Sequence, residues 1–130
     1  MKLLWPSALL AMLALLFAQQ GVADQLAGYW KHEEEPGWLE IRFTGGTGTA
    51  TVVRNDLHPE REGREILKDL VADGSSYRAT AYAWRLKEYR EIQVAQPSPD
   101  IMTFVIKVGF ISHEVNWMRV DEVPARAGSQ

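Results

Sequence analysis

The sequence has no cysteine among its 130 residues. This absence excludes a disulfide framework, thiolate chemistry and zinc held by cysteine. With only three histidines and a formal net charge of −3, the chain also lacks the basic excess typical of nucleic-acid-binding proteins. No Gly-x-Ser-x-Gly sequence is present, and the glycine-rich stretch at 45–48 is not followed by the Lys-Ser/Thr of a phosphate-binding loop. The sequence therefore favours neither these enzyme classes nor a nucleic-acid partner.

A long apolar run occurs only near the N-terminus. Lys2 gives a positive start, Leu9 to Phe17 (LLAMLALLF) is entirely apolar, and small residues at Gly21-Val22-Ala23 precede Asp24. The run is shorter than the roughly 20 residues that a membrane-spanning helix needs. It therefore predicts a cleaved signal peptide over 1–23, and an exported periplasmic or secreted protein without a stable membrane anchor.

The rest of the chain is predicted to be one small all-β domain at 24–123, followed by a disordered tail at 124–130. Short runs of alternating apolar and polar residues recur between turn residues, which is the pattern of an antiparallel sheet. The clearest inward faces are Leu39, Ile41 and Phe43 in one run and Met102, Phe104, Ile106 and Val108 in another. About seven such strands predict a small antiparallel meander or barrel, and closing it would leave no exposed edge.

One segment breaks this alternation. Between Arg64 and Asp73, apolar residues recur at the spacing of a helix, and Asp73-Gly74 provides a stop signal. The residues concerned are Ile66, Leu67, Leu70 and Val71. The sequence therefore predicts one short helix packed over an end of the sheet.

The first and last predicted strands carry a recognisable pair of features. Gly28-Tyr29-Trp30 opens the first strand, and Trp117-Met118-Arg119-Val120 lies in the last. Together they resemble the lipocalin-like barrels, in which a tryptophan closes one end of the core and a basic side chain packs over its ring. The resemblance implies a cation–π contact beside a large apolar plug. It assigns structural closure to Gly28, Trp30, Trp117 and Arg119.

The order of elements also resembles a bacterial family of small exported proteins, domain of unknown function 2147. The matching residues are Gly28, Trp30, Glu40-Ile41, Gly63, Ile66-Leu67, Gly74, Tyr77, Tyr82, Tyr89, Trp117, Arg119 and Val120. The chain departs from the family at Ala79-Thr80 and Ala83-Trp84, and it lacks the family's cysteines. The resemblance implies a lipocalin-like fold and an exported location, but it brings no reaction and no cofactor.

The remaining polar groups favour no catalytic, cofactor or metal site. Consecutive residues on a loop rarely converge on one ion, so His32-Glu33-Glu34-Glu35 is expected to be a solvated turn. His113 and Glu114 are neighbours on a predicted strand and would face opposite sides of the sheet. A hydrolase or isomerase using His58 or His113 is the weakest alternative, and the chain is predicted not to be an enzyme.

Aromatic residues define a candidate partner surface. Tyr82, Trp84 and Tyr89 lie among basic residues, and alternation places Trp38 opposite the apolar face of its own strand, so that it is expected to be exposed. Aromatic and arginine side chains are enriched at interface anchors.

Two hypotheses remain open. The first, implied by the resemblance to lipocalin-like barrels, is a carrier of a small apolar ligand. The second is a protein-interaction module, such as a periplasmic inhibitor, immunity protein or assembly accessory protein. A barrel of so few residues tends to be filled by its own side chains. Whether the interior is hollow therefore discriminates between the two.

Overall fold

The computed structural model describes residues 24–126, so the predicted signal peptide at 1–23 and the last four residues of the predicted tail lie outside the described residues. Two 3₁₀ turns, Asp24–Leu26 and Pro59–Arg61, accompany eight β-strands. The strands are β1 (Gly28–His32), β2 (Gly37–Thr44), β3 (Thr47–Asn55), β4 (Glu65–Asp73), β5 (Ser76–Ala83), β6 (Glu88–Ser98), β7 (Ile101–Val108) and β8 (Ile111–Val120). No helix within 24–126 is long and apolar enough to cross a membrane.

The strands form a closed antiparallel barrel. Each strand pairs with the next along the chain, and β8 returns to pair with β1. Because strand direction alternates, the connections that follow β1, β3, β5 and β7 lie at one end, here called the mouth. The connections that follow β2, β4 and β6 lie at the other end, the base, with residues 24–27. The predicted all-β meander is confirmed, with eight strands rather than about seven.

The predicted helix between Arg64 and Asp73 is wrong, because these residues form β4. Leu67 and Leu70 are both fully buried although they lie three positions apart. The pairing of β4 with β5 shifts between Lys68 and Val71, where β4 has one residue more than its partner strand. Asp69, inside this bulge, has a left-handed φ of 54°. The extra residue converts the two-residue period of a strand into a spacing that imitates a helix.

One apolar core fills the base half of the barrel. Its fully buried side chains come from several strands and from the first 3₁₀ turn, and include Leu26, Trp30, Leu39, Leu67, Leu70, Val94 and Met102. Packing is tight at Gly48, where an added Cβ would lie 2.9 Å from Cε1 of Phe43. Along β7 the inward face opens towards the mouth: Met102 is fully buried, whereas Val108 is 48% exposed. The unfilled part of the interior therefore lies at the mouth.

Candidate functional site: a cavity at the barrel mouth

The base of the barrel is sealed by Trp30 and Arg119. The guanidinium carbon of Arg119 lies 4.3 Å from the centroid of the Trp30 ring. Nη1 of Arg119 donates a hydrogen bond to the carbonyl of Ala27 at 3.0 Å, and Nε donates to the carbonyl of Pro99 at 3.0 Å. The indole N–H of Trp30 donates to the carbonyl of Leu26 at 2.9 Å. These polar contacts are made within the protein and Trp30 is fully buried, so its ring offers no opening for a ligand.

Gly28 completes the same arrangement. Its φ of +124° disfavours other residues, and an added Cβ would lie 3.3 Å from Nη1 of Arg119. The structure therefore brings together three of the four residues assigned to closure. Trp117 lies elsewhere: it pairs across the strands with His32, two positions from the Trp30–Arg119 pair and nearer the mouth.

Trp117 forms part of the wall of a cavity. Its ring centroid lies 5.0 Å from that of His32 and 5.5 Å from that of Phe104. The side chain is buried, yet among the described residues its Nε1–H has no hydrogen-bond partner. This donor contrasts with the satisfied indole N–H of Trp30.

The cavity has a volume of about 190 Å³ and opens at the mouth. Its deeper wall is apolar and is formed by Leu39, Val52, Ile66, Ala81, Phe104, Ile106, Val115 and Trp117. Polar and aromatic residues at the rim are His32, Glu35, Asn55, Arg61, Tyr82 and Trp84. A dry apolar cavity of roughly 150 Å³ is enough to hold benzene, whereas drug-sized ligands occupy roughly 300–1,000 Å³. The space therefore suits a small apolar molecule or the apolar part of a larger one.

Three members of the predicted partner surface meet at the rim. The Tyr82 ring centroid lies 4.9 Å from that of Trp84 and 5.2 Å from that of Tyr89, both in edge-to-face geometry. Cations cover this group: the guanidinium of Arg61 lies 4.3 Å from the Trp84 centroid, and Nζ of Lys68 lies 4.1 Å from that of Tyr89. Tyr82 and Trp84 line the cavity at its entrance, and Tyr89 contacts the entrance through Tyr82.

The expectation that Trp38 is exposed is wrong, because the residue is only 7% exposed. The residue also lines the cavity, and long side chains of its cross-strand neighbours cover its ring. Nζ of Lys31 lies 5.6 Å and the guanidinium carbon of Arg54 lies 4.8 Å from the Trp38 ring centroid. Lysine and arginine stems commonly shield apolar surface in this way. Trp38 and Trp84 consequently form no joint exposed patch.

The histidine–glutamate loop is arranged as a turn. Nδ1 of His32 accepts hydrogen bonds from the backbone N–H groups of Glu34 at 3.1 Å and Glu35 at 3.0 Å. Across residues 24–126, no group of three histidine, aspartate or glutamate side chains is arranged to hold a metal ion.

His58 contacts the carboxylate of Glu60, with 3.3 Å between Nδ1 and Oε1. The pKa of Glu60 is lowered chiefly by a hydrogen bond from its own backbone N–H and further by His58.

Sequence reasoning did not assign the connection from β3 to β4 to the candidate site. Asn55 anchors it: Oδ1 accepts from the N–H of Leu57 at 3.1 Å and of His58 at 2.8 Å, and the Asn55 N–H donates to Glu62 Oε2 at 3.0 Å. This anchoring brings Arg61 to the rim. The signal available in the sequence was the His58-Pro59 start of a turn, followed by the positive-φ Gly63.

Residues at the start of the predicted tail also contact this region. The carbonyl of Pro124 accepts a hydrogen bond from Nη1 of Arg54 at 2.6 Å. Arg126 pairs with Glu62 and lies 3.7 Å from a carboxylate oxygen of Asp56. Arg54, through its hydrogen bonds, is also the main cause of a lowered pKa of Asp56. The segment after β8 thus reaches the β3–β4 connection.

Closed topology, a sealed base and a cavity at the mouth define a lipocalin-like β-barrel. The fold is similar to that of the Helicobacter pylori protein HP1028, which is described as belonging to the lipocalin family. The two structures align with a TM-score of 0.56 and 20% sequence identity, over 73% of this chain and 82% of that one. No protein-family model and no curated protein matches this chain. The likeness shows the fold, and the resemblance to domain of unknown function 2147 stays a prediction.

Proposed function

We propose that this chain is an exported, periplasmic binding protein that carries a small apolar ligand in the cavity at the mouth and catalyses no reaction. The observation that carries the proposal is the contrast between the two ends of the barrel. The Trp30–Arg119 pair seals the base, whereas about 190 Å³ remains unfilled at the mouth. An apolar cavity with a few polar groups at its rim is the usual form of a small-molecule site.

The lining gives the ligand its chemistry. Phe104, Ile106 and Val115 provide apolar walls, so burial of a ligand's apolar surface contributes most of the affinity, at about 25 cal/mol per Å². The Nε1–H of Trp117, which has no hydrogen-bond partner in the described part of the chain, adds one donor in the wall. A ligand with a single acceptor at that depth would recover the hydrogen bond that this donor lacks.

The test is titration with a neutral apolar fluorophore, N-phenyl-1-naphthylamine. The wild type is compared with two matched variants, each of which has leucine in place of one alanine. Ala81 lines the cavity, whereas Ala72 is exposed on β4 and lies outside its lining. Ala81→Leu should weaken probe binding at least about tenfold by filling the space, and Ala72→Leu should leave it unchanged. Circular dichroism verifies that both variants are folded. Equal binding by both would place the probe outside the cavity and contradict the proposal.

A second candidate is the protein-interaction module, which is favoured by the hairpin between β7 and β8. Phe110 at its tip is fully exposed and Ile111 is 62% exposed. Exposed aromatic residues at a rim are typical interface anchors. If this candidate is right, the immobilised wild-type protein should retain a periplasmic protein on a column, and the immobilised Phe110→Ser variant should not. The neutral probe should bind neither the wild type nor the variant.

A further inference from the structure

We propose that the cavity entrance binds the anionic head group, a carboxylate or phosphate, of an amphipathic ligand whose apolar part lies in the cavity. The head-group site is a groove lined by Arg61, Arg64, Lys87, Tyr82, Trp84 and Glu60, here called the cationic shelf. The inference rests on the proposed function, since it assigns a chemical class to the ligand of the same cavity.

The first argument is position. Arg61, Tyr82 and Trp84 line both the cavity and the shelf, so the two spaces are adjacent. A ligand larger than about 190 Å³ must extend out of the cavity. On this side it meets arginine and tryptophan, whereas Glu35 stands elsewhere on the rim and would repel an anion.

The second argument is charge. On other parts of the barrel, three arginines are each paired with a carboxylate: Arg42 with Glu40, Arg54 with Asp56, and Arg90 with Glu88. Within residues 24–126, the cationic groups of Arg61, Arg64 and Lys87 form no ion pair. These salt bridges on the surface each contribute little to stability, but unpaired cations gathered in one groove create a local positive potential despite the acidic chain.

Glu60 is the one carboxylate that lines the shelf among the described residues. Its Oε1 is engaged by Nδ1 of His58 at 3.3 Å. One negative charge against three positive ones leaves the groove cationic. The shelf is thus complementary to one anionic group.

The third argument is that two of the cations are already held in place. The guanidinium carbon of Arg61 lies 4.3 Å and that of Arg64 lies 5.9 Å from the centroid of the Trp84 ring. Stacking on the ring restricts these side chains without consuming their N–H donors. A planar guanidinium matches a carboxylate or phosphate with two parallel hydrogen bonds, so binding an anion requires little further ordering.

The experiment compares amphiphiles that differ in the head group only. Decanoate and decyl phosphate, with decanol as the neutral counterpart, are titrated against protein loaded with N-phenyl-1-naphthylamine at low salt. Both anions should displace the probe at concentrations at least about tenfold lower than decanol, and added salt should reduce this advantage. Inorganic phosphate, which has no apolar part, should displace no probe.

Arg64→Gln, which changes a residue of the shelf that does not line the cavity, should remove most of the advantage of the anions and leave displacement by decanol unchanged. Arg78→Gln is the matched control, because Arg78 is an exposed arginine on β5 outside both spaces. Equal displacement by decanol and decanoate, or equal effects of the two variants, would overturn the shelf and leave the apolar carrier standing. Failure of every amphiphile to displace the probe would overturn the carrier as well.

Discussion

Arg119 lies directly over the ring of its cross-strand partner Trp30, at 4.3 Å from the indole centroid. The same guanidinium binds the carbonyl of Ala27 before β1 and that of Pro99 in the turn after β6. One side chain therefore joins the first strand, the last strand and a distant turn at the point where the barrel closes.

Replacing Arg119 with methionine should destabilise the barrel by about 2–4 kcal/mol. Methionine retains apolar contact with Trp30 but leaves the carbonyls of Ala27 and Pro99 without their charged donor, and hydrogen bonds to charged groups contribute roughly 1.5–3 kcal/mol each. Urea unfolding followed by circular dichroism measures the change. Arg42→Met, on the exposed face of β2, is the control and should be neutral. Equal midpoints for the two variants would show that closure does not depend on Arg119.

The two buried tryptophans should respond differently to replacement by phenylalanine. Trp30→Phe leaves the carbonyl of Leu26 without a donor, whereas Trp117→Phe removes an N–H that has no partner within residues 24–126. Both variants lose similar ring area, so Trp30→Phe should be more destabilising by about 1–2 kcal/mol. Parallel urea titrations give the difference. If Trp117→Phe proves as harmful, its indole N–H has a role in the unliganded protein.

Gly48→Ala should destabilise the core for steric reasons. The new Cβ would lie 2.9 Å from Cε1 of Phe43 and 3.1 Å from Cδ2 of Leu70, and overpacking of this kind costs about 1–3 kcal/mol. Gly37→Ala is the control, since its nearest contact would be 3.4 Å from Asn55. Adding Phe43→Leu should make Gly48→Ala less harmful. Purely additive effects in that double-mutant cycle would exclude the clash.

Substitutions at Asp69 test whether β4 contains the bulge. At a φ of 54° a β-branched residue is strained and glycine is not. Asp69→Val should therefore be destabilising by about 1–2 kcal/mol, and Asp69→Gly should be neutral or slightly stabilising. Thermal unfolding of both variants checks the order. The reverse order would place residue 69 in ordinary extended backbone.

We expect Tyr77 to make the barrel less stable at alkaline pH. Burial raises the pKa of its phenol above the ordinary value of 10.0, because desolvation favours the neutral form. The unfolded chain then loses this proton at a lower pH than the folded chain does. The contribution to stability is complete below pH 10 and is lost as the pH rises through the folded pKa.

Urea midpoints between pH 8 and pH 11 measure this loss. Tyr77→Phe should show a shallower alkaline decline than the wild type. If Tyr77→Phe declines as the wild type does, other groups set the alkaline limit.

The sequence was sufficient for the barrel but not for β4. Alternation in β2 and β7 predicts inward faces correctly, because those strands keep the two-residue period where they pass the core. In β4 the bulge places both Leu67 and Leu70 inside. That spacing is the same as the spacing along one face of a helix, so single-sequence periodicity cannot separate the two structures.

Only some residues of the candidate site were predicted from the sequence. The aromatic group of Tyr82, Trp84 and Tyr89 was visible because its members lie close together in the chain. Arg61 was not, because its position depends on Asn55 and on the closure of the barrel. The exposure of Trp38 was misjudged because alternation reports which way a side chain points and does not report what covers it.

In this closed barrel every strand has two neighbours, so no strand is an edge strand. Since β8 pairs with β1 along residues 29–32, the barrel's sequence could begin at any of its turns without changing the neighbour of any strand. Joining residue 121 to the segment before β1 and reopening the chain at Gly45-Gly46, where the glycines have φ of 59° and 85°, would give a circular permutant with the same barrel. The new chain ends would lie at the base, away from the cavity at the mouth.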